Sequence, residues 1–376
     1  MSRSYDVIVA GVGGMGSAAC FHLAQRGLRV LGLERYDIPH ALGSSHGATR
    51  IIRLAYAEHP SYVPLLVRAF ELWREMGEAA EERLLYTTGS VDAGPPGSTL
   101  FEGSLASCKA HGLRHQTMTG AELNRRFAGY RLPGDHLCLL QPDGGFVLPE
   151  RSVVTHVAMA QALGADIRAR EPVCDWGPLP GGGVWVETPR ARFEAGRLVL
   201  SPGAWIGDLA PMLGTVAVPE RQVLGWFQPG HPDRFSPDAF PVANLEFVEG
   251  RYYLLPVWGV PGLKIGLYHH RGERGHPEAM SRVVDDVDEA ELRRCLARYF
   301  PDANGPVMAL QTCVFTNTPD EHFVIDALPG ARDVLVVSAC SGHGFKFVPV
   351  IGEIVADLVA TGSSRFDLSM FRIDRF

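Results

Sequence analysis

Tyr5-Asp6-Val7-Ile8-Val9-Ala10-Gly11-Val12-Gly13-Gly14-Met15-Gly16 is the stretch on which the fold turns. Its first half is short, apolar and β-branched, the composition of a strand buried in a parallel sheet. Gly11, Gly13 and Gly16 follow at G-x-G-x-x-G spacing, with Gly14 and Met15 between the last two. Ser17 to Gly27 reads as a helix, with Ala18, Ala19, Phe21, Leu23 and Ala24 as small or apolar positions and Gly27 as its stop. Arg29 to Leu33 is a second strand, ending in Glu34. The first glycine turns the chain, and the second lets backbone amides approach a pyrophosphate. The third lets helix and strand pack closely, and the helix amino terminus faces the phosphate charge. Glu34 accepts from ribose hydroxyls and repels a 2′-phosphate, which favours FAD or NAD over NADP. A glycine triplet alone is weak evidence. Here the strand, helix, second strand and acid all surround it.

Working outward, two distant segments read as returns to the same sheet. Arg197-Leu198-Val199-Leu200 runs into Ser201-Pro202-Gly203, and Asp333 to Ala339 runs into Ser341-Gly342-His343-Gly344, with a helix over Val350 to Leu358. Arg221 to Tyr268 between them reads as alternating strands rich in aromatics. An NAD dehydrogenase commonly completes its nucleotide domain with successive βα units. The interleaving here favours FAD. A helix opening after Gly344 aims its positive end at the negative charge of a reduced isoalloxazine. The expected fold is α/β plus α+β: a Rossmann-like FAD-binding domain with an interleaved substrate domain on a mostly antiparallel sheet. Residues 1–85, 145–215 and 320–376 are assigned to the first domain, and 86–144 and 216–319 to the second.

Composition closes off other classes. The 376 residues are 46% hydrophobic and 20% charged, enough for a sizeable core. Net charge is −7 and no basic tract stands out, so nucleic acid is not an expected partner. The seven cysteines are widely spaced without a CxxC, which fits neither a disulfide scaffold nor a structural zinc site and suits a reducing cytosol. No metal set is expected, and no GxSxG elbow occurs. Val7 to Ala24 is apolar, but Asp6 precedes it, and glycines and His22 interrupt it, which argues against an export signal. No membrane span or peroxisomal address is expected, so the expected location is cytoplasmic. Only Lys109, Lys264 and Lys346 are lysines, against 32 arginines; codon bias is the bland explanation of the shortage, and retention where arginine would not serve is the functional one.

Several motifs together resemble the monomeric sarcosine oxidase and N-methyltryptophan oxidase family. They are Gly43-Ser44-Ser45-His46-Gly47-Ala48-Thr49-Arg50-Ile51-Ile52-Arg53, Arg221-Gln222-Val223-Leu224-Gly225, Gly262-Leu263-Lys264-Ile265-Gly266, Thr312-Cys313 through Phe323, and Ser341 through Phe347. The resemblance runs over nearly the whole chain. It implies a monomeric FAD amine oxidase acting on a secondary or N-methyl α-amino acid with dioxygen. The products are an imine, then an aldehyde and the amino acid, and hydrogen peroxide.

The resemblance assigns Cys313 to a covalent flavin link. A nucleophilic thiolate there needs a positive neighbourhood, whereas most free cysteines are inert filler. It assigns Arg53 and Lys346 to the substrate carboxylate, which away from water needs paired charge. It assigns Lys264 to dioxygen activation, where a compact ammonium stabilises developing negative charge. Arg50 and His46 match residues near the flavin ring, although a loop histidine is also an ordinary surface hydrogen bonder. Arg35, Ser44, Thr49, Val173, Gly203, Gly342, Gly344 and Phe345 complete the expected cofactor contacts. The family histidine falls on Tyr268, and a one-residue shift would restore His269. Tyr253 matches a tyrosine at the pocket mouth. Phe315, Asn244 and Trp258 depart from the sarcosine-type pattern, so sarcosine itself is not assumed. Rival readings are a pipecolate- or proline-type oxidase, a flavin or NAD dehydrogenase, and a dinucleotide-binding module without turnover.

Overall fold

The structure, a computed structural model, describes residues 4–376. The strand Ser4–Ala10 lies inside an eight-stranded sheet, between Val30–Leu33 and Arg192–Leu200, all parallel. Val30–Leu33 pairs in turn with Asp166–Arg168. The far edge of Arg192–Leu200 is divided. Its first half pairs antiparallel with Val184–Glu187, and its second half pairs parallel with Ala331–Ser338. Two segments widely separated in sequence therefore rejoin the sheet of the amino-terminal strand, and the mixed α/β class expected from the sequence is the one observed.

The helix after the glycine loop spans Gly14–Gln25 and begins earlier than the sequence suggests. A Cβ on Gly16 would lie 1.8 Å from the Gly11 carbonyl oxygen, so only glycine permits that entry. The helices Pro149–Ala162 and Val348–Thr361 pack against it, and Gly352 lets the last approach the backbone of Ala18. Val348–Thr361 is longer than expected and stops at Gly362, which takes the left-handed conformation that favours glycine. Apolar side chains from these helices and from Val63–Ala79 form one continuous core.

A second eight-stranded sheet runs in the order Val307–Asn317, Val218–Phe227, Leu263–Leu267, Gly250–Leu255, Val242–Phe247, Ser90–Gly94, Leu137–Gln141 and Gln116–Thr119. Every neighbouring pair is antiparallel except Val242–Phe247 with Ser90–Gly94. Register on this sheet positions the site. Asp92, Asn244, Tyr253 and Gly266 form one cross-strand row, and Leu255, Lys264 and Trp226 form another. Alternation along a strand sends Asn244 to the face opposite Ala243 and Leu245, which lie in the core beneath. No helix among the described residues is long and apolar enough to cross a membrane.

Candidate active site

One cleft of about 1860 Å³, open solvent at its mouth included, joins the two sheets. It runs from Gly11, Gly13, Gly14 and Met15, past Glu34, Arg35, Val173 and Gly203, to Arg53, Tyr253, Phe315 and Lys346. The glycine end is built from backbone. Gly13 caps its helix without a side-chain bond, and within the helix's first turn Gly14 donates to a side chain, Ser45 Oγ at 3.0 Å. The remaining first-turn amides are the unfilled donors of a helix start. Glu34 is held by the Val12 and Tyr36 amides at 2.8 and 3.0 Å, which leaves lone pairs on both oxygens.

The middle of the cleft is cationic. Arg50 donates to the carbonyls of Thr49 and Ser44 and comes within 3.7 Å of Cys313 Sγ. Burial pushes the Cys313 thiol pKa up, and Arg50 opposes that shift. Arg50 therefore supplies the positive neighbour that a reactive sulfur requires. Lys264 is buried, and its Nζ donates to the Gly47 and Thr49 carbonyls at 2.7 and 2.6 Å. Burial, then Arg50, pull its pKa well below the usual lysine range, while Glu150 pulls the other way. Glu150, which sequence reasoning missed, accepts from the Gly47 and Ala48 amides at 2.6 and 3.1 Å and pins the loop that holds Lys264. Its acidic place in the first turn of Pro149–Ala162 was the available signal.

At the far end, Arg53 is 1% exposed. Its Nη2 donates to both oxygens of Glu58 at 3.1 Å, and Nη1 lies 3.5 Å from Asp92. Burial alone would lower its pKa, but Asp92 and Glu58 more than offset that. Arg251 shares Glu58 at 3.1 Å. Lys346 donates to the His343 carbonyl at 2.6 Å. Burial, with Arg53 next, draws the Lys346 pKa down to about 7. Both cations lie against the Tyr56 ring, at 4.7 Å for Arg53 and 5.2 Å for Lys346. Tyr253 lies across Gly266, where a Cβ would meet its hydroxyl at 2.1 Å. Glu58, Asp92, Arg251 and Tyr56 carry no spacing signature, and only the fold brings them together.

Ser44, Thr49, Gly342, Gly344 and Phe345 also line the cleft. Three expected residues do not. Gly16 serves helix packing behind the loop. His46 is buried beside the cleft with both ring nitrogens unpartnered, and burial, then Arg50 and Lys264, lower its pKa to about 3. His269 corrects the one-residue-shift alternative. The strand ends at Leu267, and His269 takes φ +60°, which turns its ring outward to Glu220 and Glu321. Tyr268 lines the cleft instead. Trp258 packs on Tyr86 and Phe146, outside the lining.

A glycine-rich βαβ loop, a ribose-binding acid and a long cleft reaching a buried cationic end define a dinucleotide-dependent oxidoreductase. The chain belongs to the FAD dependent oxidoreductase family, whose model matches residues 6–358. It is 41% identical to a monomeric sarcosine oxidase of Streptomyces avermitilis, covering 99% of this chain and 97% of that one. It is 35% identical to an N-methyl-L-tryptophan oxidase of Salmonella arizonae, covering 99% of both. Among solved structures, NikD, described as an unusual amino acid oxidase essential for nikkomycin biosynthesis, superposes with a TM-score of 0.84 at 28% identity, covering 99% of this chain and 98% of that one. FAD fits the residues present. The uncapped helix start and the open side of Gly13 give its phosphates polar groups to meet.

Proposed function

We propose that this protein oxidises a secondary or N-methyl α-amino acid to an imine and reduces dioxygen to hydrogen peroxide. Water then splits the imine into an aldehyde and the amino acid. Flavin, which the glycine loop, Glu34 and Cys313 would hold, would supply the two-electron chemistry that links the amine to dioxygen. What carries the reading is that Arg53 and Lys346, two buried cations around one tyrosine, lie in the same cleft as the dinucleotide loop.

In this reading, Arg53 and Lys346 grip the substrate carboxylate. Charge-assisted bonds of this kind contribute about 1.5–3 kcal/mol each. The cations also disfavour an ammonium beside them, which keeps the amine in the neutral form that oxidation requires. Lys264 places positive charge where dioxygen gains negative charge, and Cys313 tethers the cofactor through its sulfur. Tyr253, Tyr268 and Phe315 wall the substrate. The chain acts as a cytoplasmic monomer, with residues 1–85, 145–215 and 320–376 as the FAD-binding domain and 86–144 and 216–319 as the substrate-binding domain, and both contribute side chains to the shared cleft. A peroxide-coupled screen over sarcosine, other N-methyl amino acids, proline and pipecolate tests the reading. Peroxide from at least one of them, with yellow colour that stays on acid-precipitated protein, is expected. A colourless protein, or no peroxide from any, contradicts it.

A further inference from the structure

The cleft face of the second sheet carries a polar pair that the proposed chemistry leaves unused. Asp92 and Asn244 are cross-strand partners, 1% and 2% exposed. Asn244 Nδ2 donates to Asp92 Oδ1 at 2.9 Å. The other carboxylate oxygen accepts from Ser104 Oγ at 2.6 Å and lies 3.5 Å from Arg53 Nη1. These bonds settle which way the Asn244 amide faces. A carboxylate only accepts, so a reversed amide would set oxygen against oxygen. Nδ2 is therefore held toward Asp92, and Oδ1 is the outward end. Asn244 lines the cleft beside Tyr253, its partner on the other neighbouring strand. Oδ1 accepts no hydrogen bond from the described residues, and it is not among the sealed, unpartnered atoms.

We propose that Asn244 Oδ1 selects the substrate, which is an N-methyl or other secondary α-amino acid whose side chain carries a hydroxyl or N–H donor. The inference deepens the reading above and rests on it. With its carboxylate at Arg53, a substrate sits one side chain, Asp92, away from Asn244. A short side chain on the α-carbon spans that gap while the carboxylate stays gripped. A donor there satisfies Oδ1. An apolar side chain strips water from Oδ1 and returns nothing, and sites of this kind reject the analogue that lacks the donor. Asp92 acts as a positioning residue: it fixes the amide and takes no part in the chemistry.

Two pairs of near-isosteric substrates test this: N-methylserine against N-methylalanine, and N-methylasparagine against N-methylleucine. The measured quantity is the ratio of kcat/KM within each pair, read as peroxide formation. The wild type is expected to favour the donor-bearing member of at least one pair by roughly tenfold or more. Asn244→Leu is expected to abolish or reverse that preference. Asp92→Asn lets the Asn244 amide turn over and is expected to reduce the preference with Asn244 still present. General weakening around Arg53 cancels in the ratio, so Asp92→Asn also serves if Asn244→Leu does not fold. Turnover with no preference in either pair, or a preference that both variants retain, overturns this inference and leaves the oxidase reading standing. If no member of either pair forms peroxide while sarcosine, proline or pipecolate does, this inference alone falls; if none of all these amines forms peroxide, the oxidase reading falls with it.

Discussion

The two ends of the cleft are built differently. The nucleotide end comes largely from one continuous stretch, Val7 to Glu34, and its working groups are mostly backbone amides at a helix start. The substrate end gathers Arg53, Asp92, Asn244, Tyr253, Phe315 and Lys346 from distant segments, and its working groups are side chains. A backbone-built site tolerates almost any side chain but not the loss of a glycine. A side-chain-built site tolerates changes of backbone sequence but depends on sheet register and on balanced charge.

The largest expected effect breaks the nucleotide end. Gly16→Ala sets a methyl against the Gly11 carbonyl oxygen, a backbone clash that no side-chain rotation relieves. The purified variant is expected to lack flavin absorbance, and full flavin content would show that the loop does not bind as described. Arg53→Met comes next. It removes the counter-ion of buried Asp92 and one of the two arginines paired with half-buried Glu58. Breaking one side of such a pair costs about 3–5 kcal/mol of stability. Lost carboxylate contacts lower kcat/KM about a thousandfold. Urea unfolding and steady-state kinetics check the two figures separately.

Lys264→Met sharpens the contrast within the cleft. Reoxidation by dioxygen is expected to slow by about 100-fold or more, with reduction by substrate far less affected. Stopped-flow measurement of each half-reaction decides, and equal losses would remove the role given to Lys264. The smallest effect concerns pH. Lys346 has its pKa lowered to about 7, so its charge is present below that pH and lost as pH rises through it. Binding of propionate, a carboxylate without an amine, should therefore weaken by roughly 5- to 10-fold between pH 6 and 9. Lys346→Met should flatten that profile.

The same contrast explains what the sequence disclosed. The glycine spacing and Glu34 are local, so the strand, helix and phosphate site were readable directly, apart from a helix start three residues early. Arg53, Lys264, Cys313 and Lys346 were readable only because whole motifs resembled a family. Glu58, Asp92 and Arg251 were not readable. Their charges look like ordinary surface charges until the sheet register and the loop after Ile52 place them around Arg53. His269 shows the converse failure. Spacing within one residue of the expected position could not foresee a left-handed backbone that turns the ring away.

The central claim is that a carboxylate-bearing secondary amine meets a flavin in this cleft. Anaerobic mixing of the purified protein with an N-methyl amino acid, followed by addition of oxygen, tests it most directly. The account predicts that the yellow absorbance bleaches, then returns with one peroxide formed per flavin. An absorbance spectrum that no such amine changes would contradict it.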